Sequence, residues 1–76
     1  MAELKIKLDN LDNVNAFVDI AQRRDYDVDL MQGRYLVNAK SIMGVFSLDL
    51  TKPLILNFQN DDAEFLKEIE DYIITE

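Results

Sequence analysis

Most side chains that can do chemistry in this chain carry oxygen, because histidine and cysteine are both absent. Imidazole acid–base chemistry, thiolate nucleophiles, disulfides and His/Cys metal sites are therefore excluded. Three groups of residues remain for closer reading: a polar segment at residues 9–13, the 15 Asp and Glu residues, and Ser41, which precedes a short apolar segment.

The polar segment Asp9-Asn10-Leu11-Asp12-Asn13 has the oxygen-rich composition of a calcium-binding loop. An EF-hand loop also needs a glycine in its middle and a bidentate glutamate at its end, and this segment has neither. Turn formation, followed by capping of a helix by Asp12 or Asn13, explains the same residues without a ligand. We therefore predict no metal site and no cofactor.

The acidic residues have the pattern of carboxylates that face solvent. Acid–base catalysis by carboxylates needs a pair in an apolar pocket with pKa values pushed apart. Here they alternate with apolar residues or lie on the polar face of a predicted helix, so we predict solvated side chains and no enzyme activity. The residues concerned are Asp27, Asp29, Asp61, Asp62, Glu64, Glu68, Glu70, Asp71 and Glu76.

Period-two alternation of apolar residues predicts four strands, each with one buried face. Gln32-Gly33 provides a turn between the second and third strands. Pro53 precedes the fourth strand, where its missing N–H is tolerated best. The residues expected on the buried faces are Leu4, Ile6, Leu8, Tyr26, Val28, Leu30, Tyr35, Val37, Ala39, Leu54, Leu56 and Phe58.

Apolar residues at helical spacing predict three helices. The first runs from the polar segment to about Arg24, and the second covers residues 42–48 with Ser41 as its N-cap. The third opens at residues 60–64, where Asp61 and Glu64 have capping-box spacing. The order β-α-β-β-α-β-α predicts an α+β fold with helices covering one face of a sheet. The apolar stripes are Val14, Phe17, Val18 and Ala21 in the first helix, and Phe65, Leu66, Ile69, Tyr72 and Ile73 in the last.

Length and charge narrow the range of functions. The 76 residues predict a single domain, 1–76, since chains divide into domains only at greater length. A net charge of −7 argues against direct binding of nucleic acid or of anionic membranes, which recruit clustered Lys and Arg. No apolar run approaches the length of a membrane span, and the N-terminus lacks the pattern of a signal peptide. We therefore expect a cytoplasmic protein.

The run Val37-Asn38-Ala39-Lys40-Ser41-Ile42-Met43-Gly44, leading into Val45-Phe46-Ser47-Leu48, resembles the HPr family of the bacterial sugar phosphotransferase system. The run is most similar to the catabolite-repression branch of that family, and the predicted element order matches the family along most of the chain. The resemblance implies an open-faced β-sandwich: a four-stranded antiparallel sheet with helices on one face.

The resemblance also implies that histidine phosphotransfer is lost. Counted back without gaps from Ser41, the family's phosphoacceptor His falls on Asn10 and its Arg on Asp12. An amide nitrogen is not a usable nucleophile for phosphoryl transfer. Asp12 places an anion where a cation would steady phosphate oxygens, so attraction becomes repulsion. Relatives present basic charge to the acidic docking face of enzyme I, so electrostatic steering of this chain to that partner should be lost or reversed. An acyl phosphate on Asp12 is the alternative acceptor chemistry.

Ser41 occupies the family's regulatory phosphoserine position. A phosphate there would meet the N–H groups and the dipole at the start of a helix. The alternative is that Ser41 is only a helix cap.

The apolar residues Leu11, Ile42, Met43 and Phe46 correspond to the surface with which relatives dock partner proteins. The alternative is that Ile42 and Phe46, four residues apart, turn into the core. If the surface is exposed, we expect a regulatory protein partner, such as HPr kinase or a transcriptional regulator, and a chain that is a monomer or a homodimer. A domain with a purely structural or assembly role is the third interpretation.

Overall fold

Four antiparallel strands form a sheet in the order β1-β4-β2-β3. The structure is a computed structural model that describes residues 2–59 and 62–74. All three strand pairs are antiparallel, and β4 lies between β1 and β2. The four predicted strands are therefore confirmed, although the second begins only at Asp29, so that Tyr26 and Val28 lie in the loop before it, and Leu8 follows the end of β1. Pro53 stands immediately before β4. The bounds are β1 Ala2–Ile6, β2 Asp29–Gln32, β3 Tyr35–Asn38 and β4 Leu54–Phe58.

Three helices and one 3₁₀ turn complete the fold: α1 Leu11–Gln22, α2 Ile42–Phe46, α3 Ala63–Glu68 and the turn Glu70–Tyr72. The observed order is the predicted β-α-β-β-α-β-α. Alternate residues of the strands share one buried cluster with the helices, so the helices cover one face of the sheet and leave the other face open. The predicted α+β open-faced sandwich is confirmed.

The core between the sheet and the helices contains the predicted apolar stripes. Every member of the α1 stripe, from Val14 to Ala21, is buried, and so are the alternating β4 residues Leu54, Leu56 and Phe58. Three phenylalanines, Phe17, Phe58 and Phe65, are its largest fully buried side chains. Burying a side chain of this size contributes about 1.5–3 kcal/mol each, which makes this layer the main source of stability.

The helices end earlier than their apolar stripes predict. α1 ends at Gln22 rather than Arg24, and α2 ends at Phe46. The last stripe divides into α3 and the 3₁₀ turn, because the following backbone pairs with the end of β1. The N–H of Lys7 donates to the carbonyl of Tyr72 at 2.9 Å, and the N–H of Ile74 donates to the carbonyl of Lys5 at 2.9 Å. These bonds draw the chain out of the helical path after α3.

Tyr35 corrects the expectation that all three tyrosines face the core, because it is 66% exposed. It pairs with Gln32 at the turn end of β3, an edge strand with a neighbour on one side only. The turn is closed by Gly33, whose φ of +59° is the left-handed conformation that glycine adopts without strain. α2 packs farther along β3, where a Cβ on Gly44 would lie 3.4 Å from the Cβ of Val37. Tyr35 therefore lies beyond the helix that covers the strand.

Candidate functional site

The polar segment before α1 acts as a helix cap. Asn10 has extended backbone angles (φ −153°, ψ 175°), and its Oδ1 accepts a hydrogen bond from the N–H of Asn13 at 2.9 Å. The prediction that Asp12 or Asn13 caps the helix was wrong, because the helix begins at Leu11 and both residues already lie in its first turn. Asn10 is one of the best N-cap residues, so its amide has a structural function.

The acidic residues around Asn10 are exposed to solvent or paired on the surface. Asp12 lies in the first turn of α1, where the helix dipole favours a negative charge. Asp9 accepts a hydrogen bond from the Nζ of Lys7 at 2.9 Å, in an ion pair that solvent reaches. Residues 9–13 thus present an amide and two carboxylates, and this segment contains no Lys or Arg that could steady phosphate oxygens.

Ser41 caps α2, as its position predicts. Its Oγ accepts a hydrogen bond from the N–H of Gly44 at 3.1 Å, and its own N–H donates to the carbonyl of Asn38 at 3.0 Å. The residue is exposed, so solvent reaches the hydroxyl. The capping function is observed directly, and phosphorylation of Ser41 stays a prediction.

Three side chains of α2 stand out from the surface. Met43 is 81% exposed, Phe46 45% and Ile42 38%, whereas Val45 of the same helix is fully buried. The alternative that Ile42 and Phe46 turn into the core is therefore wrong. Ile42, Met43 and Phe46 are called the α2 patch below.

Leu11 is also exposed, at 59%, but it belongs to the first turn of α1. The other end of α1 is fixed beside the start of α2, since the Nε2 of Gln22 donates to the carbonyl of Lys40 at 2.9 Å. The twelve residues of α1 extend for about 18 Å. Leu11 therefore belongs to a different helix from the α2 patch, at the end opposite Gln22, and its part in a shared docking surface stays a prediction.

A cluster of polar side chains that sequence reasoning missed lies at the start of α3. The Nη1 of Arg24 is 3.1 Å from the Oδ2 of Asp62, and the hydroxyl of Tyr26 donates to the same oxygen at 2.7 Å. Asp62 also caps α3, because its Oδ1 accepts from the N–H of Phe65 at 3.0 Å. The side chains of Arg24 and Asp62 are only 14% and 18% exposed, so the expectation of a solvated Asp62 was wrong.

Asp62 is withdrawn from solvent because its carboxylate accepts hydrogen bonds both from the loop after α1 and from the first turn of α3. Hydrogen bonds from the Phe65 N–H, Tyr26 and Arg24 hold the pKa of Asp62 below its usual range. Burial, together with the hydrogen bond to Asp62, raises the pKa of Tyr26 above its usual range. The cluster ties the loop after α1 to α3 and favours the ionised form of the Asp62 carboxyl group. Asp61, the predicted partner of Glu64 in a capping box, lies outside the described residues, as does Glu76.

Residues 2–59 and 62–74 contain neither a candidate metal site nor a helix that could span a membrane. No group of three or more acidic side chains among residues 2–59 and 62–74 could hold a metal ion. None of the helices in those residues has the length and apolar character needed to cross a bilayer.

Comparison with known proteins gives matches among solved structures. No family model matches the chain, and no curated protein matches it either. The crystal structure of HPr-C-His from Thermoanaerobacter tengcongensis is similar over 93% of this chain and 89% of its own, with 29% identity and a TM-score of 0.75. The phosphocarrier protein HPr from Bacillus anthracis is similar over 96% of this chain and 94% of its own, with 27% identity and a TM-score of 0.65. The fold and these neighbours, which cover most of the chain, together support an HPr-like family for this protein.

Proposed function

We propose that this protein is a non-catalytic, regulatory binding module linked to the phosphotransferase system or to carbon regulation, and that it does not carry phosphate on histidine. The observation that carries the proposal is the α2 patch. A helix of five residues exposes three large apolar side chains, and exposed apolar groups of this kind mark contact surfaces. Met43 is the most exposed, and its flexible thioether adapts to different partner surfaces.

The loss of histidine phosphotransfer is supported by the chain's lack of histidine and by the N-cap bond of Asn10. By the resemblance, Asn10 stands at the phosphoacceptor position and Asp12 at the position of the steadying cation. An exposed carboxylate at position 12 opposes the approach of an anionic phosphoryl donor. Phosphate transferred from phosphoenolpyruvate by enzyme I, and lost in Asp12→Asn, would show a phosphocarrier that uses Asp12 and would contradict a purely regulatory binding module.

Ser41 is the proposed switch. Its hydroxyl is exposed and lies one residue before the α2 patch, so a phosphate there would add about two negative charges beside the docking surface. The phosphate oxygens can replace the hydroxyl as acceptor for the N–H of Gly44, so that α2 keeps its cap. The expected effect is a change in which partner the α2 patch accepts.

The first test is intact mass after incubation with HPr kinase and ATP. One added phosphate is expected in the parent chain and in Ser47→Ala, and none in Ser41→Ala. Ser47 is a matched control, because it is the exposed serine at the opposite end of α2 and the chain has no third serine. Absence of phosphate from the parent would remove the switch and leave Ser41 as a cap.

The second test measures binding of a transcriptional regulator of carbon metabolism, with the chain phosphorylated and unphosphorylated. Met43→Asp should abolish binding, because it places a charge in the centre of the apolar contact. Leu36→Asp is the matched control, since Leu36 is 63% exposed and lies on the opposite face of β3 from Val37, the residue that packs against α2. Equal loss in both variants would contradict docking through the α2 patch. Light scattering of the free chain decides between the monomer and the homodimer.

A further inference from the structure

A pocket of about 500 Å³ opens where the β2–β3 turn meets the loop after α2, outside the α2 patch. Its volume falls in the range of small-molecule sites, about 300–1,000 Å³. The residues that line it are Gln32, Gly33, Arg34, Tyr35, Asp49 and Lys52. None of these residues belongs to the function proposed above.

Two residues that line the pocket, Gln32 and Asp49, are joined to each other by hydrogen bonds. The side-chain amide of Gln32 donates to the carbonyl of Asp49 at 2.7 Å and accepts from the N–H of Asp49 at 2.8 Å. The Oδ1 of Asp49 accepts from both the N–H and the hydroxyl of Thr51, at 3.1 and 2.5 Å. A ligand entering here would meet walls that are already ordered, which lowers the entropic cost of binding.

The charges on the pocket are unusual for this chain. Arg34 and Lys52 both line it, and within residues 2–59 and 62–74 neither forms an ion pair or a side-chain hydrogen bond. Most of the acidic excess lies elsewhere, so two cations and one carboxylate leave this pocket net positive on a protein of charge −7. Paired cations of this kind recognise phosphate, and the planar guanidinium does so with two parallel bonds.

The ring of Tyr35 is the second distinctive feature. Tyr26 and Tyr72 pack edge-to-face against Phe65 and Phe17, with centroids 6.4 and 6.2 Å apart. Tyr35 makes no ring contact with any described residue and is 66% exposed at the pocket wall. An exposed aromatic face beside cations suits a planar base, whose stacking contributes about 1–3 kcal/mol.

We propose that this pocket binds a nucleoside monophosphate, with Arg34 and Lys52 on the phosphate and Tyr35 against the base. The Oδ2 of Asp49, which neither Thr51 bond uses, is left to accept a hydrogen bond from a ribose hydroxyl. This inference is independent of Ser41 and of the α2 patch, so either proposal can fail alone.

The test is titration of the isotope-labelled full chain with AMP, followed by amide chemical shifts. Saturable shifts are expected in the backbone of residues 32–35 and 49–52. AMP should bind at least about tenfold more tightly than ribose 5-phosphate, which lacks the base, or adenosine, which lacks the phosphate. No saturable shift, or equal binding of AMP and ribose 5-phosphate, would overturn the assignment.

Variants distinguish specific binding of AMP in the pocket from non-specific electrostatic attraction of its phosphate. Tyr35→Leu and Arg34→Gln should each weaken AMP binding about tenfold, since each removes one of the two recognition elements. Lys67→Gln removes an exposed cation on α3, away from the pocket, and should leave binding unchanged. A loss in Lys67→Gln as large as in Arg34→Gln would show non-specific attraction and overturn the proposal. Spectral dispersion of each variant verifies that it is folded.

Discussion

The loop after α1 and the β2–β3 turn each bring together an arginine, a tyrosine and an aspartate, with opposite results. In the first, Arg24, Tyr26 and Asp62 bond to one another and are largely withdrawn from water. In the second, Arg34 and Tyr35 remain exposed beside Asp49 without such bonds. Side chains that satisfy one another stabilise the fold, whereas exposed and unpaired ones are available to a ligand. Residue type alone therefore does not reveal function.

The largest expected difference between the two regions comes from their aromatic residues. Phe65 is fully buried beneath Arg24 and packs against Phe58, with ring centroids 5.6 Å apart. Phe65→Ala should lower the free energy of unfolding by about 3–5 kcal/mol, enough to unfold much of so small a domain. Tyr35→Ala should change it by no more than about 0.5 kcal/mol. Urea unfolding followed by circular dichroism measures both, and a similar loss in the two variants would contradict the comparison.

The next largest difference in stability is expected between the aspartates of the two regions, Asp62 and Asp49. Asp62→Ala removes the cap of α3 and leaves Tyr26 and Arg24 without their shared acceptor. Loss of a helix cap alone usually costs about 1 kcal/mol, so a larger decrease in the urea midpoint is expected. Asp49→Ala removes bonds to Thr51 only, at an exposed position, and its midpoint should move less. The reverse order would show that the Asp62 cluster adds little stability.

The same two aspartates should also make the stability of the fold depend on pH in the acid range. The pKa of Asp62 is lowered in the folded state by bonds from Phe65, Tyr26 and Arg24, and the pKa of Asp49 is lowered by its bonds from Thr51. A lowered folded pKa adds stability above the unfolded value, about 3.9, and that stability is lost as the pH falls through the folded pKa. Asp62→Asn and Asp49→Asn should therefore each flatten the decrease in stability below about pH 4.

Urea midpoints measured at intervals between neutral pH and pH 2 would test this dependence. If Asp62→Asn follows the parent curve at every pH, its carboxylate has the same pKa folded and unfolded. The Asp49 variant serves as the exposed reference, because solvent surrounds its bonds to Thr51.

These contrasts also explain which features the sequence predicted. The alternation in β4 and the stripe of α1 predicted burial correctly, because each pattern has the period of its element and faces one core. Ser41 was predicted as a cap because its helix follows directly. Such local signals need no knowledge of distant residues.

The failures involve long-range contacts or element ends. Arg24 and Asp62 are separated by 38 residues, so no spacing pattern joins them. α3 ends early because Tyr72 bonds to the backbone of Lys7 at the far end of the chain. Tyr35 fits the alternation of a buried strand, but its place at the end of an edge strand leaves it exposed. Among the site residues, the exposure of Ile42 and Phe46 was left open, because an apolar short helix has no polar face to orient it.

The smallest predicted effect lies within α2, where the same contrast separates two apolar neighbours. Val45 is fully buried, whereas Met43 is 81% exposed. Met43→Ala should change the free energy of unfolding by no more than about 0.5 kcal/mol, because its side chain has little contact to lose. Val45→Ala should lower the free energy of unfolding by more than Met43→Ala does, since it leaves a cavity beneath the helix. Urea unfolding of the two variants tests this prediction. A large decrease in the free energy of unfolding of Met43→Ala would mean that Met43 packs into the core, and the α2 patch would no longer be available to a partner.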